Sequence, residues 1–135
     1  MKKIIILFIL TLFIATPAQA KIVLVGDYQP DYWKEVIEKY SPFVGKTIAV
    51  KIVKGDNFTY YSNREYNRQN NLTRWGVTYF VGNEPSYIEL SDNQLSRPFA
   101  ENTLCWELHR YIFKSLDREK SRHFANMMTS WVNSL

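Results

Sequence analysis

The first long apolar stretch lies near the start of the chain. Residues 4–15 are almost all apolar, they follow Lys2 and Lys3, and the segment ends in the small-residue run Ala18-Gln-Ala20. A positive start, a short apolar core and small residues at the end are typical of a secretory signal peptide. The run is shorter than the ~20 apolar residues that a bilayer span needs. We therefore expect a signal peptide over residues 1–20, cut after Ala20, with an uncleaved N-terminal anchor as the alternative.

Strand and helix patterns follow in turn after this segment. Residues 21–25, Lys-Ile-Val-Leu-Val, are apolar after Lys21, mostly β-branched and followed by Gly26, which predicts a buried strand. In residues 47–53 the large apolar residues Ile48, Val50 and Ile52 occupy alternate positions, which predicts a second strand. Between them a helix is predicted over residues 31–40, because large apolar residues recur there at helical spacing: Trp33, Val36, Ile37 and Tyr40.

The middle of the chain changes character twice. Residues 62–74 are polar and rich in Asn, Arg and Gln, which predicts a long exposed loop or a hairpin with a mobile tip. Residues 76–81 and 86–90 are again apolar and β-rich, and the turn residues Gly82-Asn-Glu-Pro85 lie between them. This arrangement predicts a β-hairpin.

Two helices are predicted at the C-terminal end. The first begins at Asn102 or Thr103 and runs to about Leu116. The second runs from about Glu119 to Asn133, and its predicted apolar stripe comprises Phe124, Met127, Met128, Trp131 and Leu135.

The order of these elements predicts an α+β fold. A helix between the first two strands favours a parallel pair, and the hairpin adds antiparallel strands. We expect a mixed four- to five-stranded sheet with one helix after the first strand and two C-terminal helices packed on it. Residues 21–135 then form a single globular domain.

Charge and cysteine content narrow the classes of protein. Without Lys2 and Lys3 the 17 basic side chains become 15 against 13 acidic ones, a net charge of +2. The basic residues are scattered, so nucleic acid is not an expected partner. No stretch after residue 20 is apolar enough to span a membrane, so no membrane contact is expected after cleavage. The single cysteine, Cys105, cannot form an internal disulfide, and we expect it to be buried in the core.

The most informative segment is Thr103-Leu-Cys-Trp-Glu-Leu-His-Arg110. It resembles the active helix of zincin metallopeptidases, often written Thr-Leu-x-His-Glu-Leu-x-His, at Thr103, Leu104, Glu107 and Leu108. The resemblance implies that Glu107 is the candidate catalytic base. It also implies an antiparallel edge strand shortly before the helix, at residues 86–90.

Both zinc-binding histidines of that pattern are missing. Trp106 and Arg110 occupy their places, and neither side chain binds zinc. The chain's two histidines, His109 and His123, lie at no recognised ligand spacing. We therefore predict no metal and no cofactor, and we expect a binding protein rather than an enzyme, with a metallopeptidase-like hydrolase as the alternative.

An ordinary amphipathic helix is the alternative reading of this segment. Leu104, Leu108, Ile112 and Leu116 form its apolar stripe. On its other side Glu107 and Arg110, three residues apart, are then a surface ion pair, and Trp106 and Arg110 are a cation–π pair.

Two functional hypotheses follow. In the first, the chain is an exported, non-catalytic zincin-like protein that contacts a peptide or protein partner in the periplasm or outside the cell through Trp106, Glu107 and Arg110. In the second, it is an unrelated small inhibitor, immunity or secretion-accessory protein. That protein acts through an aromatic and arginine-rich surface between Phe58 and Trp75, with Arg64, Arg68 and Trp75 as contact residues.

Overall fold

The structure is a computed structural model that describes residues 21–61 and 64–135. The predicted signal peptide lies outside the described residues. The strands are β1 (Ile22–Val25), β2 (Ile48–Val53), β3 (Gly76–Val81) and β4 (Glu84–Ser91). The helices are α1 (Asp31–Tyr40), α2 (Arg64–Gln69), α3 (Arg97–Phe113) and α4 (Arg118–Asn133), and a 3-10 turn, Ser41–Phe43, follows α1.

The four strands form one mixed sheet in the order β1-β2-β4-β3. β1, β2 and β4 run parallel, and β3 pairs antiparallel with β4 through the tight hairpin at Gly82 and Asn83. The predicted α+β fold with a mixed sheet and two C-terminal helices is confirmed. One expectation is wrong: the strand at residues 86–90 is internal, because β4 is paired on both sides, and β3 is the antiparallel edge strand.

The core lies between one face of this sheet and the helices. Alternate residues of β2 and β4 point at the helices because side chains of a strand alternate between its two faces. Each fully buried apolar side chain contributes roughly 1.5–3 kcal/mol of burial free energy. The largest fully buried apolar side chains are Trp33, Tyr40, Ile48, Ile52, Ile88, Leu90, Leu104 and Leu108.

α1 has the bounds that its apolar spacing predicts. Its buried face consists of Trp33, Val36, Ile37 and Tyr40. The Trp33 indole donates to the Ser91 carbonyl at 3.2 Å, which ties the helix to the end of β4. The helix gives way to the 3-10 turn at Ser41 and Pro42.

α3 begins earlier in the chain than the sequence pattern predicts. The Ser96 hydroxyl caps it by accepting from the Phe99 amide at 3.2 Å, and Pro98 lies in the first turn, where proline's missing N–H costs nothing. α3 is the central helix: it contacts β3, β4, α1 and α4 and is buried on most sides.

α4 packs on α3 with a different face from the predicted one. Its buried residues are Ser121, Ala125 and Val132. Phe124 and Met128 are partly buried, whereas Met127, Trp131 and Leu135 of the predicted stripe are exposed.

The polar stretch that was predicted as a loop or hairpin contains a helix. α2 buries no residue, so hydrophobic periodicity could not reveal it. Arg64 holds it to the preceding turn by donating from Nη2 to the Asp56 carbonyl at 3.1 Å. Among the residues that the structure describes, no helix is both long and apolar enough to cross a bilayer.

Candidate binding cleft

A cleft of about 580 Å³ opens between α3 and the segment that leads into β3. One face of α3 lines the cleft over successive turns. The segment 72–76 forms the opposite wall, and Arg118 at the start of α4 also lines the cleft. The main lining side chains are Arg74, Trp75, Phe99, Asn102, Thr103, Trp106, Glu107, Arg110 and Arg118.

Gly76 sets the distance between the two walls at the base of the cleft. A Cβ atom built at this position lies 2.9 Å from Leu90 Cδ2, 3.1 Å from Glu107 Cγ and 3.2 Å from Thr103 Cγ2. These separations are shorter than ordinary carbon–carbon contacts. Only glycine therefore lets α3 lie this close to the start of β3.

Glu107 lies at the base of the cleft and is only 3% exposed. The Thr78 hydroxyl is 3.0 Å from Glu107 Oε1, and Arg110 Nη1 is 3.5 Å from the same atom. Burial raises the pKa of Glu107 above its usual range, and the charges of Arg110 and Arg74 and the Thr78 hydrogen bond offset that only in part. The predicted ion pair of Glu107 and Arg110 therefore forms, but the prediction that it lies on the surface is wrong, because the carboxylate is inside the protein.

Trp106 and Arg110 occupy adjacent turns of α3 at the mouth of the cleft. The Arg110 guanidinium lies 5.8 Å from the centre of the Trp106 ring, so the predicted cation–π pair is confirmed. Arg122 of α4 lies 5.9 Å from the same ring. The Nε atom of Arg110 is buried and has no hydrogen-bond partner within residues 21–61 and 64–135.

Arg74 is held in a similar way on the opposite wall. Its guanidinium lies 5.1 Å from the centre of the Tyr61 ring, and Arg64 lies at the same distance from that ring. The Nε atom of Arg74 is also buried without a partner among the described residues. Glu89 fixes the segment just before Tyr61: its carboxylate accepts hydrogen bonds from the Thr59 amide at 2.9 Å and from the Thr59 hydroxyl at 2.6 Å.

Four of the six predicted site residues come together here: Trp75, Trp106, Glu107 and Arg110. Trp75 packs edge-on against Phe99 at 5.0 Å between ring centres. Arg64 and Arg68 do not line the cleft; they lie on α2, 3.8 and 3.9 Å from the Asp56 carboxylate. Arg74, which lies within the predicted surface between Phe58 and Trp75, lines the cleft instead, and Arg118 lines it without having been predicted; no spacing in the sequence connects either residue to α3.

The chain's remaining reactive side chains lie elsewhere. Cys105 is fully buried in the core, as predicted, and burial raises its pKa to about 12, so it is not a nucleophile. His109 is buried between α3 and α4, with Nδ1 3.0 Å from Ser121 Oγ, and burial lowers its pKa. Within the described ranges no three His, Cys, Asp or Glu side chains are grouped closely enough to hold a metal ion.

No family model, curated protein or solved structure matches the chain.

Proposed function

We propose that this protein is an exported, non-catalytic binding protein of the bacterial cell envelope, and that it holds a peptide or a segment of a partner protein in the α3 cleft. The observation that carries the proposal is that one face of α3 lines the cleft at Thr103, Trp106, Glu107 and Arg110. These positions include every residue at which the zincin resemblance places a zinc ligand or the catalytic base. The export half of the proposal rests on the sequence of residues 1–20.

The side chains in the cleft are suited to binding rather than to cleavage. Trp and Arg are the residue types that most often dominate the energetics of protein interfaces. Trp106 and Arg110 offer no zinc ligand. Glu107 is only 3% exposed and already interacts with Thr78 and Arg110, so it is poorly placed to act as a base on a ligand.

The alternative surface between Phe58 and Trp75 has less support. Phe58 is buried, the Tyr61 ring contacts the guanidinium groups of Arg64 and Arg74, and Arg64 contacts the carbonyl groups of Asp56 and Phe58. These side chains are therefore engaged with one another, although Tyr60 is exposed.

Selection from a random peptide library on the purified protein tests the proposal. We expect selected peptides to bind the wild type and to lose at least about tenfold in affinity for Trp106→Ala, because a buried aromatic anchor is worth at least ~1–2 kcal/mol. Trp131→Ala is the matched control. Trp131 is 51% exposed on α4 and does not line the cleft, so this variant should bind like the wild type.

Mass spectrometry of the bound peptides tests the claim that the protein does not cleave its ligand. The peptides should stay intact during incubation, and a metal chelator should leave their affinity unchanged. Peptides that are cleaved without chelator and stay intact with it would show that the protein is a metallopeptidase. Peptides that bind Trp106→Ala and the wild type equally would move the binding site away from the cleft.

A further inference from the structure

We infer that the cleft recognises a carboxylate group of its ligand, bound by the guanidinium groups of Arg74 and Arg110. This inference rests on the proposed function, because it names the chemical group of the peptide that the cleft selects. It is drawn from the balance of charge in the cleft and from the donors that the two arginines leave unpaired.

Positive charge exceeds negative charge in the cleft. Of the described residues that line it, Arg74, Arg110 and Arg118 are cationic and Glu107 alone is acidic. An arginine keeps its charge in any protein environment, so the excess cannot be removed by loss of a proton. A ligand that brings a negative charge into the cleft is therefore favoured over a neutral one.

The two central arginines also have free donors. Nε of Arg74 and Nε of Arg110 are each buried without a protein acceptor among the described residues. A buried donor without an acceptor is destabilising, so a small shift of the guanidinium that brings its Nε–H group to an acceptor supplied by a ligand is favoured. The one carboxylate contact of Arg110, with Glu107, is made through Nη1 at 3.5 Å and leaves the Nε–H group unused.

Aromatic rings hold both guanidinium groups before any ligand binds. Arg74 lies over Tyr61 and Arg110 over Trp106, at 5.1 and 5.8 Å from the ring centres. A guanidinium that is fixed in this way loses less conformational entropy when it binds. Its Nε–H and Nη–H groups form a planar fork that matches the two oxygens of a carboxylate.

The cleft's other features favour a carboxylate of a peptide over a phosphate. Glu107 repels any bound anion, and a phosphate group carries nearly twice the charge of a carboxylate near pH 7. Trp75 and Phe99 form an apolar wall beside the arginines, where the side chain next to a peptide carboxylate can pack. The carboxylate can come from the C-terminus of a peptide or from an Asp or Glu side chain.

Small matched probes distinguish these cases. N-acetylphenylalanine carries a terminal carboxylate, N-acetylphenylalaninamide differs only by lacking it, and N-acetylglutamyl-phenylalaninamide carries a side-chain carboxylate instead. Binding of each probe to the full chain is followed by NMR of the arginine Nε–H signals. We expect one of the two acids to shift the signals of Arg74 and Arg110 and to bind at least about tenfold more tightly than the amide.

Variants show whether the arginines are responsible. Arg74→Gln and Arg110→Gln should each lose at least about tenfold in affinity for that acid and little for the amide. Arg110→Lys keeps the charge without the planar fork and should also bind it more weakly. Arg97→Gln is the matched control, because Arg97 also lies on α3 but pairs with Glu35 at 2.6 Å outside the cleft.

Each outcome decides the inference. Tighter binding of N-acetylphenylalanine identifies a C-terminal carboxylate, and tighter binding of the glutamyl probe identifies a side-chain carboxylate. Equal affinity for acid and amide, no binding of either acid, or an equal loss in Arg97→Gln would overturn the inference. Tighter binding of inorganic phosphate with the same arginine dependence would overturn it too. Library peptides that still depend on Trp106 in those cases would leave the proposed function standing.

Discussion

Replacement of Gly76 by alanine perturbs the contact between α3 and β3 that forms the base of the cleft. The added Cβ atom meets Leu90 Cδ2 at 2.9 Å, Glu107 Cγ at 3.1 Å and Thr103 Cγ2 at 3.2 Å. Leu90 is fully buried and Glu107 nearly so, so neither side chain has open space into which it can move. α3 must therefore shift away from the sheet, or buried side chains must leave their preferred rotamers.

The expected cost follows from this crowding. An extra methyl group in a well-packed interior typically destabilises a protein by about 1–3 kcal/mol. Alanine also reduces the entropy of the unfolded chain, which returns about 0.4–1 kcal/mol. We expect Gly76→Ala to lower the free energy of unfolding by about 1–2 kcal/mol.

Gly45→Ala is the matched control for this substitution. A Cβ atom at Gly45 has no neighbour within 4 Å, and Gly45 is not among the glycines with positive φ. This variant keeps only the effect on the unfolded chain, so it should be neutral or stabilised by up to about 1 kcal/mol.

Urea unfolding followed by tryptophan fluorescence measures both variants. The midpoint should fall for Gly76→Ala and stay or rise for Gly45→Ala, with the slope unchanged in each. Equal midpoints for the two variants would refute the close packing of α3 on β3. In that case Glu107 would not be enclosed as described.

Three further results are expected. Burial alone would raise the pKa of Glu101, but hydrogen bonds from Tyr40 and Lys39 outweigh burial and hold the pKa below its ordinary value of 4.5. The ionised Glu101 therefore stabilises the fold above pH 4.5, and this stabilisation is lost as the pH falls below that value. Glu101→Gln should cost about 1–3 kcal/mol at pH 7 and flatten the acid limb of a urea-midpoint profile, and an unchanged profile would contradict the assignment. Cys105 should resist iodoacetamide in the native protein and react fully in guanidinium, and rapid native alkylation would contradict its burial. N-terminal sequencing of periplasmic protein should begin at Lys21, and a start at Met1 in the membrane pellet would favour the uncleaved anchor.

Regular patterns predicted most of the fold. α1 has one buried and one exposed face, so its apolar spacing located both of its ends. The β3–β4 hairpin was visible because two apolar β-rich runs flank a short turn. Helix α2 was missed because it buries nothing, and polar residues without periodicity look the same in a loop and in an exposed helix.

The surroundings of α3 were harder to predict. A helical wheel assumes that a helix has one buried face and one solvent-exposed face, but other elements cover α3 on most sides. The polar residues that α3 buries are Glu101, Thr103, Glu107 and His109. The burial of Glu107 depends on Gly76, which lies far away in the sequence. Arg74 likewise reaches the cleft through the tertiary fold and through its contact with Tyr61. Local sequence carries no signal for either contact.

NMR chemical-shift mapping with a library-selected peptide tests the central claim most directly. The two hypotheses share Trp75, but only the first places the ligand on α3, so a single titration of the backbone amide signals separates them. We predict that the largest shifts cluster in residues 72–76 and on α3 between Phe99 and Arg110, the two walls of the cleft. Shifts that cluster instead on residues 58–61 and at Arg64 and Arg68, with none on α3, would contradict the account.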